Sequence, residues 1–269
     1  PVAKQDEYTA SVALEDTWEA SNKLFFLAGA GFFYHKGKKA EMFEPLPGSN
    51  TYWIVSYPTS SDQDINYQFA VDYKHNRNHT YRFSLSRNAR FASLKDRYSY
   101  KRGRAIPNPD LKTERSFNLD ITYNGSYKKF RRYASAYYMF LSNTIQEITG
   151  MVDNDPLIWQ LQNKGKAHYR GLEAGLSYYY KRISAEANYT FINRTNKSDK
   201  EVSFLGVPDH KWNVILEVAL GGELVLQTNM TALTSSHVSS NGDLSIPGYA
   251  LFHSNISKTF NHVEVKLGI

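Results

Sequence analysis

Apolar and polar residues alternate along this chain in runs longer than ordinary soluble strands. Ile65, Tyr67, Phe69, Val71 and Tyr73 are interleaved with Asn66, Gln68, Ala70, Asp72 and Lys74. Phe117 to Tyr123, Ile183 to Phe191 and Val263 to Ile269 repeat the pattern. Because successive side chains of a strand point to opposite faces, period two specifies strands with one apolar and one polar face. Strands in soluble proteins average about 5–6 residues. The alternating runs here, such as Tyr8 to Trp18, Lys128 to Leu141 and Lys166 to Tyr180, are as long as a tilted strand crossing a bilayer, which takes about 9–11 residues. No stretch combines helical spacing with caps, so the chain is all-β.

The connections alternate in length. Short ones are expected at Ser21-Asn22, His75 to His79, Asn124-Gly125, Lys181-Arg182, Gly221-Gly222 and Asn261-His262. Long ones are expected at about 37–63, 92–113, 147–165, 195–210 and 236–247. An antiparallel up-and-down transmembrane β-barrel has this arrangement, with tight turns at one end and long loops at the other; a Greek-key sandwich does not. The pattern gives about 12 strands in six hairpins, the last stopping in mid-strand at Ile269. An open sheet would leave its edge amides without partners in hydrocarbon, so a partial barrel of a larger one is expected.

Composition supports a wall with one wet face. Aromatics make up 14% of the 269 residues, with 20 Tyr and 15 Phe, yet mean hydropathy is −0.53. Cysteine is absent, which excludes disulfides, thiolate metal sites and a cysteine nucleophile. No run of 18 apolar residues offers a transmembrane helix, and no signal peptide opens the chain. Pro1 suggests a start inside a longer protein. The net charge of +6 fits either a solvated surface or a patch that attracts a partner.

Five short motifs then carry a family resemblance. Arg90-Phe91-Ala92-Ser93-Leu94-Lys95-Asp96-Arg97-Tyr98-Ser99 resembles the "RFPSLKDLYS" stretch of TonB-dependent receptors. Ile106 to Ser116 is similar to that family's "NPDLKPERS" motif, and Asn163 to Glu173 to its "NxGKAxxxGLE" strand. Val207-Pro208-Asp209-His210-Lys211 and Pro247-Gly248-Tyr249 resemble its "VPRHK" and "L-x-GY" segments. The motifs occur in the family's order, covering 90–269 well and 1–89 by pattern only. Pro107 and Pro109 suit the end of a long loop, since each lacks a ladder donor and favours an extended preceding residue. Gly171 within a strand suggests a bulge or a close side-chain neighbour. These residues read as barrel construction rather than ligand contacts.

The resemblance implies a barrel of about 22 strands with an amino-terminal plug, residues 1–269 being a partial barrel domain that lacks the plug and the final strands. It implies an outer-membrane receptor of a Gram-negative bacterium that takes up a scarce ligand, a ferric siderophore foremost, with energy from the TonB complex. A porin-like or adhesin barrel without active transport is the alternative. No cofactor and no resident metal are expected.

Candidate contacts lie in the segment Lys95 to Arg104, which carries five cations against one acid with two tyrosines interleaved. Arg97, Arg102 and Arg104 could hold the carboxylates or catecholates of an iron chelate, while Tyr98 and Tyr100 stack on it. Trp159 is a further candidate. The same charges could contact lipopolysaccharide and outer-membrane lipid. The cations are confined to one loop with no recognised module around them, so nucleic acid is not an expected partner. His75 and His79 have metal-compatible spacing but lie in an expected tight turn. The resemblance implies a histidine in the loop before the "NPDL"-type motif for a haem receptor, and none falls between Phe91 and Leu111, which argues against haem. Ser236-His237 and Asp209-His210 are neighbours in sequence, so in a strand they point apart and cannot share a proton. The chain is therefore not expected to be an enzyme.

Overall fold

The computed structural model describes residues 2–45, 51–150, 152, 155, 157–261 and 263–269. In chain order the strands are β1 (Gln5–Ser21), β2 (Leu24–Pro45), β3 (Tyr52–Ser56), β4 (Ser61–Asn76) and β5 (His79–Arg90). A short helix α1 (Leu94–Tyr98) and a 3-10 turn (Lys101–Gly103) follow, then β6 (Ala105–Ile106), β7 (Glu114–Tyr127), β8 (Phe130–Ser142), β9 (Ile145–Thr149) and β10 (Trp159–Asn163). The rest are β11 (Lys166–Tyr180), β12 (Ile183–Asn196), β13 (His210–Gly221), β14 (Leu224–Leu233), β15 (Ser236–His237), β16 (Ser245–Ile246), β17 (Tyr249–Phe260) and β18 (Val263–Gly268).

Twelve long strands form one antiparallel sheet in the order β1-β2-β4-β5-β7-β8-β11-β12-β13-β14-β17-β18, with β3 pairing beside the far end of β2. Each long strand thus lies next to its long neighbours in sequence, the expected meander. Among the described residues β1 and β18 each pair on one side only, so the sheet is an open part of a barrel wall.

The register separates the two faces as the alternation required. Ala28, Phe69, Leu85 and Leu119 lie opposite one another across four strands, as do Ala187 and Val214, and Tyr189 and Trp212. This face is apolar and open: Ile65 is 53% exposed, Ile121 57% and Leu216 41%. Gln68, Asn118, Asp120, Glu186 and Asn188 take the other face. Near the short turns, aromatic rings line the apolar face: Trp18 stacks on Phe26 at 5.4 Å, Tyr81 lies 5.2 Å from Tyr123, and Phe130 4.9 Å from Tyr178. Such a belt marks the polar boundary of a membrane wall.

Gly171 has the close neighbour its position suggested and no bulge. The pairing of β11 with β8 and with β12 runs unbroken through it. A Cβ there would overlap the end of the Tyr137 ring and approach the Phe191 carbonyl to 2.6 Å. Tyr137, its partner across the ladder, fills the space.

Three expectations need correction. The turn expected at Asn124-Gly125 falls at Lys128-Lys129, because β7 runs on to Tyr127, which pairs with Phe130. Gly125 stays within the strand because its missing side chain makes room for the Tyr123 hydroxyl. The segment 92–113 is not bare loop but holds α1, whose Ser93 hydroxyl accepts from the Asp96 amide at 3.2 Å while the Asp96 carboxylate accepts from the Ser93 amide at 3.1 Å. Three of the other long loops carry short strands, β3 in 37–63, β9 and β10 around 147–165, and β15 and β16 in 236–247, while 195–210 carries none. His262, in the last expected turn, lies outside the described residues, as do 46–50 in the first long loop and four positions in 147–165.

Burial concentrates at the loop end. Ala92, Tyr98, Ala105, Leu111, Thr144 and Ala167 are almost wholly inaccessible, and all lie in or beside the long connections. The wall itself contributes little interior, as suits a sheet with one face for lipid and one for water.

Candidate functional site

Two halves of the 92–113 segment have opposite surroundings. In the first, Arg97 is 2% exposed. Its Nε donates to the Ala92 carbonyl at 3.3 Å, Nη1 to the Pro109 carbonyl at 2.7 Å and Nη2 to the Asp62 carboxylate at 2.8 Å. Thr113 donates to the other Asp62 oxygen at 3.2 Å. His35 stacks on Phe91 with ring centres 5.6 Å apart, and its Nε2 lies 2.9 Å from a Glu7 oxygen. Tyr98, 1% exposed, donates its hydroxyl to the Pro58 carbonyl at 2.6 Å and lies against Tyr57. Burial pushes the Tyr98 phenol up from its ordinary value, keeping it neutral. Arg97 and Tyr98, expected to face a ligand, are instead consumed in pinning α1 onto β2 and β4.

In the second half the chain turns outward. The Tyr100 carbonyl accepts from the Gly103 and Ala105 amides, both at 3.0 Å, closing a tight turn in which Gly103 adopts φ +87°. Tyr100 is half-buried and Arg104 exposed; the Arg102 side chain lies outside the described residues. Ala105 and Ile106 then pair in parallel with Trp159 and Gln160, and β10 pairs antiparallel with β9. The Trp159 amide donates to the Arg104 carbonyl at 3.0 Å. This three-stranded loop sheet brings together Arg104 and Trp159, which are 55 positions apart (159 − 104).

Lys101, Arg104, Glu147, Thr149, Leu157, Trp159 and Val238 line an open cavity of about 660 Å³. Lys101 Nζ stands 4.8 Å from the Trp159 ring centre, a cation–π distance. Burial pushes the Glu147 carboxyl above its ordinary range, and nearby Lys101 partly opposes this. Thr149 and Ser240 join their hydroxyls at 2.9 Å, which ties the cavity to the 236–247 connection. Two cations, an aromatic face and apolar edges can hold an anionic ligand with a flat ring system.

Lys101 sat within the basic stretch read from the sequence, but Glu147, Leu157 and Val238 carried no signal, because only the fold brings three separate loops to one place. The resemblance motifs turn out to be braces. Asn108 donates to the Leu161 carbonyl at 2.8 Å, and Gln160 to the Pro107 carbonyl at 3.1 Å. Asn163 accepts from the Lys112 amide at 2.8 Å and donates to the Lys112 and Asn143 carbonyls at 3.1 and 2.7 Å. The paired asparagines satisfy loop backbone groups that have no ladder partner.

The family described as TonB dependent receptor-like, beta-barrel matches residues 1–269, including the first 89 residues that resembled it by pattern alone. This chain belongs to the TonB-dependent receptor β-barrel family. The fold of the family recurs in solved structures of low sequence identity. Over 97% of this chain, "Copper transporter OprC" superposes with a TM-score of 0.77 at 17% identity. The siderophore receptor PiuA from Acinetobacter baumannii does so over 97% at 0.75 and 14%, and the ferric-catecholate import receptor Fiu from K12 E. coli over 99% at 0.73 and 14%. The chain spans 41%, 38% and 40% of those chains, respectively. A sequence search of curated proteins returned no match. Those solved structures are described as a transporter and two receptors.

Proposed function

We propose that this chain is the wall and loop surface of a receptor in the outer membrane of a Gram-negative bacterium, and that the complete protein takes up an iron chelate of the siderophore class with energy from the TonB complex. The observation that carries the reading is the convergence of Lys101, Arg104 and Trp159 on one open cavity at the loop end of a one-sided apolar wall. Guanidinium and ammonium groups attract the carboxylates or catecholates of such a chelate, and the indole face stacks on its rings. Arg102 belongs to the same turn, which the Tyr100 carbonyl closes. The plug that such transport requires belongs to other parts of the complete protein.

The test is titration of the complete protein with ferric catecholate, ferric hydroxamate and copper(II), alongside uptake by cells that produce it. Trp159→Ala should weaken catecholate binding and lower its uptake while the amount of protein in the outer membrane stays constant. Binding that is unchanged by Trp159→Ala, or a preference for bare copper, would overturn the chelate reading. Uptake of small solutes without TonB would overturn the transport reading in favour of a passive pore.

A further inference from the structure

The opposite end of the wall carries a second concentration of charge. Residues 124–133 hold Lys128, Lys129, Arg131 and Arg132, and residues 176–185 hold Lys181 and Arg182, with no acid in either segment. These two hairpins, β7–β8 and β11–β12, are neighbours in the sheet, since β8 pairs with β11. All six cations are exposed, and among the described residues none forms an ion pair with a carboxylate. The remaining turns at that end are mixed or acidic, as at Glu217 and Glu223 beside Gly222.

Their placement is specific. Lys129 and Lys181 both approach the Tyr180 ring, at 2.8 and 5.2 Å from its centre. The two ammonium groups repel each other there, and an anion joining them would offset that repulsion. Arg132 lies on the apolar face: it pairs across the ladder with Leu176, and that row continues through Ala187, Val214 and Met230 to Phe252. It stands one pleat, about 7 Å, inside the Phe130–Tyr178 aromatic pair. An arginine stem is long enough to lie along such a surface and carry its head back to the belt. A guanidinium there, on the same face as the Tyr180 ring that Lys129 and Lys181 approach, suits a phosphate whose acyl chains run down the adjoining apolar face.

We propose that the turn end of β7–β8–β11–β12 binds the headgroup of an anionic phospholipid in the leaflet facing the short turns. This rests on the membrane placement proposed above. Free phosphate would use the same cations but not the apolar row behind Arg132, so the lipid is the occupant that accounts for both.

The experiment uses the complete protein in nanodiscs of phosphatidylcholine containing a minority of phosphatidylglycerol, with retained lipid counted by native mass spectrometry after mild delipidation. The variant combines Lys129→Ala, Arg132→Leu, Lys181→Ala and Arg182→Ala. A control carries Lys23→Ala, Lys74→Ala, Arg77→Ala and Lys258→Ala at the same end. Each basic residue held at an anionic surface contributes a factor of roughly five to binding. The variant should therefore lose at least about tenfold in phosphatidylglycerol retention, while the control keeps the preference. Arg132→Leu alone should retain the fold, because leucine suits that face, and should show part of the loss. Equal loss in variant and control, displacement of the lipid by inorganic phosphate, or unchanged retention would each overturn the proposal. So would unchanged retention with weakened binding of a periplasmic protein, which would make this a protein contact. Failure of all forms to enter nanodiscs would instead overturn the membrane placement.

Discussion

The two halves of one basic loop have opposite fates. Arg97 and Arg104 lie seven residues apart in a stretch of uniform charge, yet one is sealed inside and the other faces a cavity. The difference is an acid. Asp62, 35 residues before Arg97, meets its guanidinium at 2.8 Å and repays much of the cost of burial, while carbonyls of Ala92 and Pro109 each accept from one of its other two nitrogens. Arg104 forms no ion pair with a carboxylate among the described residues and stays in water. Local charge density therefore marks where cations are, and the distant partner decides what they do.

The comparison breaks most visibly at Arg97. Arg97→Ala leaves the half-buried Asp62 with only its Thr113 hydrogen bond and the neighbouring His35 ring. Removal of one partner from a fully buried pair costs about 3–5 kcal/mol, so this half-buried one should cost less. The expected outcome is rapid proteolysis at 92–113 with the wall intact, and an Arg97→Ala/Asp62→Asn double variant that recovers part of the protection. A loop as resistant as the wild type would show that α1 stands without the pair. The open half should respond oppositely: Lys101→Ala with Arg104→Ala should leave melting unchanged and weaken an anionic chelate by about tenfold, 1.4 kcal/mol. That loss should be greatest at low ionic strength, because exposed charges are screened. Insensitivity of the binding to salt would remove the charges from the ligand's path.

Tyr98→Phe sharpens the contrast by deleting one hydroxyl. It should cost about 1 kcal/mol in loop stability, read by hydrogen exchange at 94–98, with no effect on ligand affinity. The smallest effect is a pH dependence from Glu147. Its carboxyl titrates above the ordinary range because of burial, and it loses its charge as pH falls through that raised value. The cavity then becomes more positive. Affinity for a chelate whose own charge is constant should rise on acidification by roughly twofold to fivefold, and Glu147→Gln should show the higher affinity throughout. Because ionisation of the half-buried carboxyl disfavours the folded state, that variant should also be slightly more stable than the wild type above that raised value and equal to it below. A pH profile unchanged by the substitution would sever Glu147 from the site.

What the sequence discloses and what it hides follow the same line. Strand faces such as Tyr67 against Gln68 depend on period two, a property of adjacent residues, and they were legible. The β11 span was legible to the residue, because Lys181-Arg182 interrupts the alternation cleanly. The turn after β7 was misread because Asn124-Gly125 has the composition of a tight hairpin, whereas the tyrosine beside Gly125 and the pairing of Tyr127 with Phe130 carry the strand further. A five-residue helix has no room for periodicity, so α1 could announce itself only through Ser93 and Asp96. Site membership was the least legible, since Glu147 and Val238 meet Trp159 only after three loops have folded together.

The Tyr137–Gly171 contact has a consequence for how the wall is assembled. Alternating strands can slide past one another by two residues and still keep apolar side chains on the apolar face. Such a slip between β8 and β11 would set Tyr137 against Tyr169 or Glu173 in place of Gly171, driving a ring into an occupied site and leaving a gap at the glycine. Hydrophobicity fixes only which face is which, whereas one missing side chain fixes the vernier setting between the strands. A two-residue misalignment of these strands is thus opposed by shape where the apolar pattern alone would permit it.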